Sequence, residues 1–430
     1  MERVVLVGVH LDLKDTIMDT NEASIKELHE LCAAAGLASV GVFIQNRHKL
    51  ETGTYIGEGK IAEVAEFIRA NDIDKAVFDD ELSGIQVRNL ADRLGVGIID
   101  RSTLILDIFA QRARSKEGQL QVELAQLRHL LPRLAGSSVV SGLSRAGVGV
   151  GARGPGETKL ETDKRAIHRK ISAIKEDLKD IEKQRETQRK DRKKSGVQSV
   201  ALLGYTNAGK STIMNALTGA EVFAEDMLFA TLDPTARKRE MPSGAEVVFV
   251  DTVGFVRKLP HHLIRAFSST LEESMICDVL LHVVDYSSEE REIEEEIVER
   301  LLEKLNKAGK PVIKVYNKID KVEGEPVGAT VLGRPRAMGT IAPTNGGEVF
   351  ISAKEGQGLD ILLEAIENAL PEKRLIVEIC VPYDKGAAVA KLHEVAAVQE
   401  EEYEAGGTRM LVSISQKDYD KVREMINLKE

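Results

Sequence analysis

The residues with the clearest chemical potential form a glycine-rich loop at the end of an apolar run. Val200 to Leu203 reads as a β-strand, and the loop after it fits the pattern G-x-x-x-x-G-K-[ST] before a helical stretch. Such loops turn backbone amides toward the α and β phosphates of a nucleotide. A lysine then meets the β and γ phosphates, and a hydroxyl ligates Mg²⁺. We predict Lys210 as a catalytic cation and Ser211 as a metal ligand. The predicted nucleotide-binding residues are Gly204, Tyr205, Thr206, Asn207, Ala208, Gly209, Lys210, Ser211 and Thr212.

A second predicted strand, Glu246 to Val250, delivers a carboxylate and then a glycine. In phosphate-loop hydrolases such a carboxylate holds Mg²⁺ through water, and the glycine amide meets the γ phosphate, so Gly254 is predicted to be catalytic. The next residue is Phe255, which has no polar group to orient the attacking water, and we expect slow intrinsic turnover. The predicted nucleotide-binding residues here are Asp251, Thr252, Val253 and Gly254.

Two further segments, each after a predicted strand, select the base. The Asp320 carboxylate can accept from guanine N1–H and the 2-amino group, whereas adenine presents an acceptor at N1 and would leave it unpaired. Asn317 can bond the N7 edge of the base, the Lys318 stem can cover the ring, and a backbone amide of the last segment can reach O6. The predicted guanine-binding residues are Asn317, Lys318, Ile319, Asp320, Ser352, Ala353 and Lys354.

Together these segments resemble the translation-factor-related GTPases, and the resemblance extends to one subfamily. The segments Gly151–Glu157 and Phe229–Thr235, with the basic region before the phosphate loop, are similar to those of the HflX family of ribosome-associated GTPases. The similarity covers nearly the whole chain. It implies GTP hydrolysis with GTP/GDP and Mg²⁺, binding to the large ribosomal subunit and its RNA, and stimulation by the ribosome. It further implies separation of the subunits of stalled ribosomes under stress.

The same resemblance assigns the switch threonine. Thr231 would ligate Mg²⁺ and sense the γ phosphate as a third catalytic residue, although on residue type alone Thr235 could serve instead. Arg237 and Arg239 could act as an internal arginine finger, but pairing with surface carboxylates is the interpretation that we favour. The residues that the resemblance places along the nucleotide are Phe229, Ala230, Thr231, Leu232 and Asp233.

The alternation of short apolar runs and helical stretches predicts the elements that position these residues. At 430 residues the chain is too long for one core. We predict an α/β multidomain fold: a parallel α/β domain, an antiparallel helical hairpin, a doubly wound P-loop GTPase domain and a small α+β domain. The predicted boundaries are 1–108, 109–195, 196–370 and 371–430.

The hairpin is predicted from two leucine- and isoleucine-rich seams that step by four and three residues. Packing of each seam onto a domain face is the alternative. Between them lies a glycine-rich segment, about Ala135 to Glu157, with Arg145 and Arg153. We favour a loop that orders on phosphate or RNA over a plain linker.

Charge is distributed unevenly along the chain. The net charge is −10, yet Arg101 to Ser195 carries about +10 and the remainder about −20. A basic block of this kind indicates an RNA partner or a solvated helical surface.

Composition narrows the remaining possibilities. The sequence has no Trp, and its three cysteines are far apart, so neither a disulfide framework nor a zinc site is expected. No run of residues is apolar enough for a membrane helix, and we expect a cytoplasmic monomer. Two other functions stay open: an ATP-driven RNA remodeller that uses the N-terminal domain as a second nucleotide site, and a GTP-gated adaptor for a protein partner.

Overall fold

The fold is given by a computed structural model that describes residues 1–11, 21–134, 159–194, 197–219, 228–229, 235–258, 277–306, 309–322, 347–371, 374–404 and 406–426. The chain divides into two compact units. The first comprises Met1–Glu186, Glu225–Asp233 and Val253–Thr270, and the second Thr187–Ala224, Pro234–Thr252 and Leu271–Glu430. The chain therefore passes from the second unit to the first between Thr252 and Val253.

The first unit contains a four-stranded parallel sheet. Its strands are β1 (Glu2–Leu11), β2 (Leu37–Arg47), β3 (Lys75–Phe78) and β4 (Gly97–Asp100). The order is β2-β1-β3-β4, so β2 lies on one side of β1 and the later strands β3 and β4 lie on the other. Alternate residues of β1 supply cores on both faces, with Val4 and Leu6 in one and Val5 and Val7 in the other. The sheet is therefore covered by helices on both sides.

Four helices complete this α/β layer. They are α1 (Asn21–Ala34), α2 (Glu58–Asn71), α3 (Gly84–Leu94) and α4 (Arg101–Arg112). The Ser83 hydroxyl and the Gln86 side chain form a capping box at the start of α3. Helix α4 is not predicted from the sequence. Its run of apolar residues is buried on more than one side, which hides the period of an amphipathic helix.

The predicted hairpin is present as two helices, α5 (Lys116–Leu134) and α6 (Lys159–Lys194). Their shared seam contains Leu124, Ile171 and Ile174, with Leu120 and Leu127 packed against it. Glu123 pairs with Lys170, and Glu117, earlier in α5, pairs with Arg185, later in α6. The two helices therefore run antiparallel. The glycine-rich segment with Arg145 and Arg153 lies outside the described residues.

The second unit is built on a six-stranded sheet of order β10-β9-β8-β5-β7-β6, parallel except for β6. The strands are β5 (Gln198–Gly204), β6 (Thr235–Glu240), β7 (Glu246–Asp251), β8 (Val279–Asp285), β9 (Val312–Asn317) and β10 (Glu348–Phe350). The helices around it are α7 (Lys210–Thr218), α8 (Arg291–Leu305) and α9 (Leu359–Ala369). This is the doubly wound arrangement, in which ligands bind beyond the carboxyl ends of the strands.

A small α+β module ends the chain. Its elements are β11 (Arg374–Val381), α10 (Gly386–Val395), β12 (Ala397–Glu404), β13 (Gly407–Ser415) and α11 (Gln416–Ile426). The sheet is antiparallel with β13 at its centre, and both helices share one core with it. The Ser413 hydroxyl donates to the Ser243 carbonyl in the turn between β6 and β7. The predicted fold class is confirmed, while the four domain boundaries stay a prediction.

Two predicted absences concern only the described part of the chain. No helix there is long and apolar enough to cross a membrane. Cys32, Cys277 and Cys380 are free thiols, and the described residues hold no cluster of ligands suited to a metal ion of the zinc type.

Candidate functional site

The phosphate-binding loop joins the buried strand β5 to the first turn of α7. Gly209 closes the loop with φ +90°, a conformation that glycine adopts without strain. A Cβ at Gly204 would lie 2.2 Å from the Val283 carbonyl oxygen of the neighbouring strand, so this position also requires glycine. Asn207 is exposed and has φ +60°, which asparagine tolerates better than most residues. The backbone at these three positions therefore suits glycine and asparagine, the residues that the sequence places there.

Lys210 is buried at the base of this loop. Its ammonium donates to the carbonyl oxygens of Tyr205 at 2.7 Å and Gly204 at 3.2 Å. Burial lowers the pKa of Lys210 to about 8; the Asp251 carboxylate opposes this shift and Lys318 adds to it. A desolvated ammonium whose hydrogen bonds go to neutral carbonyls is poised to gain from an anionic ligand such as phosphate.

Ser211, a predicted metal ligand, lies beside Asp251, which is predicted to hold the ion through water. Ser211 Oγ donates to Asp251 Oδ2 at 2.8 Å, which joins the start of α7 to the end of β7. Asp251 also accepts from the Thr252 amide, and the Thr252 hydroxyl donates to the Leu202 carbonyl at 2.7 Å. A hydroxyl and a carboxylate together form the hard oxygen set that Mg²⁺ prefers, so these residues fit the predicted ion.

Asn317 links the phosphate loop to the predicted base-binding loops. Its Nδ2 donates to the Ala208 carbonyl at 3.0 Å, and its Oδ1 accepts from the Ala353 amide at 3.0 Å. The side chain is buried, and a Cβ at Gly209 would lie 2.2 Å from Asn317 Nδ2. The structure thus brings together three predicted segments that are far apart in the sequence.

The remaining base-binding residues are also placed at this edge of the sheet. Ser352 Oγ donates to Asp320 Oδ1 at 2.5 Å. Lys318 has φ +66°, and its ammonium pairs with Asp285 Oδ2 at 2.8 Å. Ile319 begins a short 3₁₀ turn, and Lys354 is exposed. Asp285 was missed at the sequence level, although it follows an apolar strand in the same way as Asp251.

The other predicted site residues fall in two groups. Ala230, Thr231, Leu232 and Asp233 lie outside the described residues. Phe229, Val253 and Gly254 belong to the first unit, where Phe229 packs edge-on against Phe109 with ring centroids 4.6 Å apart. Phe255, the apolar residue that follows Gly254, is buried.

The alternatives to the predicted switch residues are also located. Thr235 is the first residue of β6 and stands opposite Asp251 in the antiparallel register. Arg239 donates to the Leu217 carbonyl at the end of α7, whereas Arg237 is exposed on the outer strand. The Arg239 guanidinium is therefore engaged with a helix end, where cations are favourable.

The doubly wound sheet, the phosphate loop and the loops after β7, β9 and β10 define a P-loop GTPase. Comparisons with known families agree. Residues 22–110 match the family model described as "GTP-binding GTPase N-terminal", residues 112–192 "GTP-binding GTPase Middle Region", and residues 199–318 "50S ribosome-binding GTPase".

Curated relatives identify the family. The chain is 46% identical to the GTPase HflX of Caldanaerobacter subterraneus over 99% of this chain and 94% of that protein. It is 39% identical to the GTPase HflX of Escherichia coli K12 over 95% and 92% of the two chains. The chain belongs to the HflX GTPase family, and the prediction that it is a GTP hydrolase is confirmed.

A GTP-binding protein from Sulfolobus solfataricus, solved in complex with GDP, is among the similar structures. It is 21% identical with a TM-score of 0.44, covering 85% of this chain and 97% of that one.

The pKa of Lys210 predicts how nucleotide affinity depends on pH. Bound phosphate favours the ammonium and raises its pKa above the value of about 8 in the free protein. Below pH 8 both states are protonated, whereas above it binding takes up a proton, so the GDP dissociation constant should rise by up to about tenfold per pH unit. Titration of a fluorescent GDP between pH 7 and 8.8 measures this and stays below the range in which guanine N1–H itself ionises. Lys210→Ala should bind weakly with no such slope; a slope equal to that of the parent protein would contradict the assignment.

Proposed function

We propose that this protein is a GTPase that binds the large ribosomal subunit, is stimulated by it, and separates the subunits of stalled ribosomes under stress. We further propose that it acts as a monomer in the cytoplasm. The observation that carries the proposal is the match of its nucleotide-binding domain to the family described as "50S ribosome-binding GTPase".

The nucleotide chemistry follows from residues at the carboxyl edge of the sheet. Lys210 meets the β and γ phosphates, and Asp320 accepts from guanine N1–H and the 2-amino group. Ser211 and Thr231 would ligate Mg²⁺, with Asp251 acting through water, and the ion would neutralise charge that develops on the phosphates. Because Ser211 and Asp251 are already hydrogen-bonded, the chain presents these oxygens in one place.

Slow hydrolysis by the isolated protein is expected from the residue after Gly254. The side chain of Phe255 is buried and apolar, so it offers no hydrogen bond to an attacking water. A partner that orders the segments at Thr231 and Gly254, or supplies a polar contact, would then set the rate. A GTPase of this kind would hydrolyse its GTP at a useful rate only when the partner is bound.

The surface of the hairpin supports an RNA partner. In α6 the twelve-residue stretch Lys164–Lys175 contains five Lys or Arg residues and no carboxylate, whereas Glu176–Thr187 contains more acidic than basic residues. The cationic stretch lies at the end of α6 that follows the glycine-rich segment. Arg165, Arg169 and Lys175 are exposed there. A second basic run, residues 189–194, lies at the other end of α6, so positive charge is present at both ends of this helix. The basic residues near the tip of the hairpin suit contact with phosphates.

Large ribosomal subunits should accelerate GTP hydrolysis. We expect a rise of at least about tenfold in steady-state rate when purified subunits are added, which corresponds to a barrier lowered by more than about 1.4 kcal/mol. Lys210→Ala serves as the blank for contaminating activity. An unchanged rate would remove the ribosome as activator and leave a GTPase with another partner.

Basic residues near the tip and in the middle of α6 give a matched pair of variants for binding. Replacing Arg165 and Arg169 by Ala should weaken binding to the large subunit and reduce the slope of log affinity against log salt by about 1 to 2, because phosphate contacts are lost. Replacing Lys179 and Lys183, which pair with carboxylates on the same helix, should change little. Equal effects of the two double variants in a sedimentation assay would argue against an RNA contact at this end.

Base selection is tested by Asp320→Asn. The amide keeps an acceptor for N1–H but turns a donor toward the 2-amino group of guanine, so GTP affinity should fall on the order of a hundredfold or more. Xanthine carries an oxygen at that position, and the variant should bind xanthosine triphosphate more tightly than GTP. Asp360→Asn, an exposed position on α9, is the matched control. Retained preference for GTP in Asp320→Asn would refute the assigned role.

A further inference from the structure

The loop after β8 lies beside the predicted guanine-binding residues of the second unit. Strands β8 and β9 are parallel neighbours, and Asp285 at the end of β8 stands opposite Asn317 at the end of β9. The pairing continues past the strand ends, since the Tyr286 amide donates to the Asn317 carbonyl at 2.8 Å. Asp285 and Lys318, which follows Asn317, therefore extend from the same edge of the sheet, where ligands of doubly wound folds bind.

The Asp285 carboxylate uses its two oxygens for different partners. Oδ1 accepts from the Ser287 amide at 2.9 Å and from the Ser287 hydroxyl at 2.6 Å. Oδ2 lies 2.8 Å from the Lys318 ammonium, and the two side chains of this ion pair are only 17% and 15% exposed. Water and salt therefore screen the pair much less than a surface pair. The Ser287 bonds fix the carboxylate within its own loop, which leaves the second oxygen in place for the lysine.

The loop is itself anchored on the sheet by aromatic packing. The Tyr286 ring lies edge-on to Tyr316 of β9 and to Phe350 of β10, with ring centroids 5.8 and 5.4 Å apart. The guanidinium carbon of Arg291 lies 4.7 Å from the centroid of the Tyr286 ring. Asp285 thus belongs to a loop that packs against two neighbouring strands, so the position of its carboxylate is set by the protein.

The side chain of Lys318 is constrained from its backbone to its ammonium. Its φ is +66°, a left-handed conformation that is uncommon for residues other than glycine. A Cβ at Gly209 would lie 3.9 Å from Lys318 Cε, which places the far end of the stem beside the phosphate loop. The Asp285 carboxylate then fixes the ammonium. In the predicted guanine site, a stem held in this way is ready to cover the ring of the base.

Asp285 also compensates the charge that Lys318 brings close to Lys210. Burial is the main cause of the low pKa of Lys210; the Asp251 carboxylate opposes the shift, and the Lys318 charge adds to it. The two ammonium groups are thus close enough to repel each other. A carboxylate on Lys318 offsets this repulsion and favours a lysine that stays beside the phosphate loop.

We propose that Asp285 is a positioning residue of the guanine site, which holds Lys318 in the conformation that covers the base before a nucleotide binds. The proposal rests on the guanine-binding role proposed for Lys318, and it adds the loop after β8 to the segments that build the site. Immobilising one long side chain on binding weakens affinity by about two- to twelvefold, and a lysine that the protein already holds avoids this loss. Asp285 acts through Lys318 and need not touch the nucleotide.

Asp285→Asn tests the proposal in the full chain. The amide oxygen can keep the bonds from Ser287, which turns the NH₂ group toward the Lys318 ammonium, so the ion pair is lost while the loop is kept. The dissociation constant of GDP, measured by titration of a fluorescent GDP, should rise about two- to twelvefold. Ser287→Ala removes one of the two bonds to Oδ1 and should give a smaller rise. Glu289→Gln, at an exposed carboxylate just beyond this loop, is the matched control and should leave the constant unchanged.

Lys318→Met and the double variant distinguish positioning from a general role of Asp285 in folding. Methionine cannot pair with the carboxylate, so GDP binding should weaken, and adding Asp285→Asn should weaken it no further. The ratio of the dissociation constants for GDP and inosine diphosphate should stay that of the parent in Asp285→Asn. The Lys318 stem covers the face of the ring and does not read the 2-amino group that inosine lacks, whereas a disturbed Asp320 would change this ratio.

Four results would overturn the proposal: an unchanged GDP constant in Asp285→Asn, a changed ratio for inosine diphosphate, further weakening of Lys318→Met by Asp285→Asn, or an unchanged constant in Lys318→Met. The last would also remove Lys318 from the guanine site, whereas the first three leave its proposed role intact. Should Asp285→Asn fail to fold, Ser287→Ala replaces it. A rise that disappears in the Lys318→Met background supports the proposal, and no rise refutes it. All measurements use the isolated protein, so they do not depend on the ribosomal partner.

Discussion

The side-chain amide of Asn317 fixes the geometry on which the nucleotide site depends. By donating to the Ala208 carbonyl and accepting from the Ala353 amide, it ties the loops after β5, β9 and β10 into one frame. Gly209 makes this possible, because a side chain there would collide with the amide. The positions expected for phosphate and base are therefore set before a ligand arrives, and such preorganisation reduces the entropy lost on binding.

The sheets of the two units share one arrangement but carry different side chains. Each has a parallel sheet whose carboxyl edge gathers polar side chains at loops that follow buried strands. In the second unit these side chains carry the features of a GTP site. In the first unit, Asp79 and Asp80 hold Lys258 of the chain itself. Carboxylates at this edge of the sheet would repel nucleotide phosphates, which argues against the hypothesis of a second nucleotide site in the N-terminal domain.

The sequence predicts most of the second unit because its signals are local. Gly204, Asp251 and Asn317 each come at the end of a predicted strand, so the sequence locates each loop. The structure brings those loops together. The roles of the individual residues stay predictions. The contact between Lys258 and Asp79 in the first unit was not predicted, because these residues lie 179 positions apart in the sequence. Helix α4 was not predicted for a different reason, since burial on several sides removes the amphipathic pattern.

The length of α6 has a mechanical consequence. An α-helix of 36 residues spans about 54 Å, and within it no proline or glycine interrupts the hydrogen-bond ladder. A helix without proline or glycine bends little, so a rotation at one end is transmitted to the other. Tilting its base by only about 5° would sweep the opposite end through about 5 Å, close to the rise of one helical turn. A small angular change at one end of α6 would thus become an ångström-scale displacement at its other end.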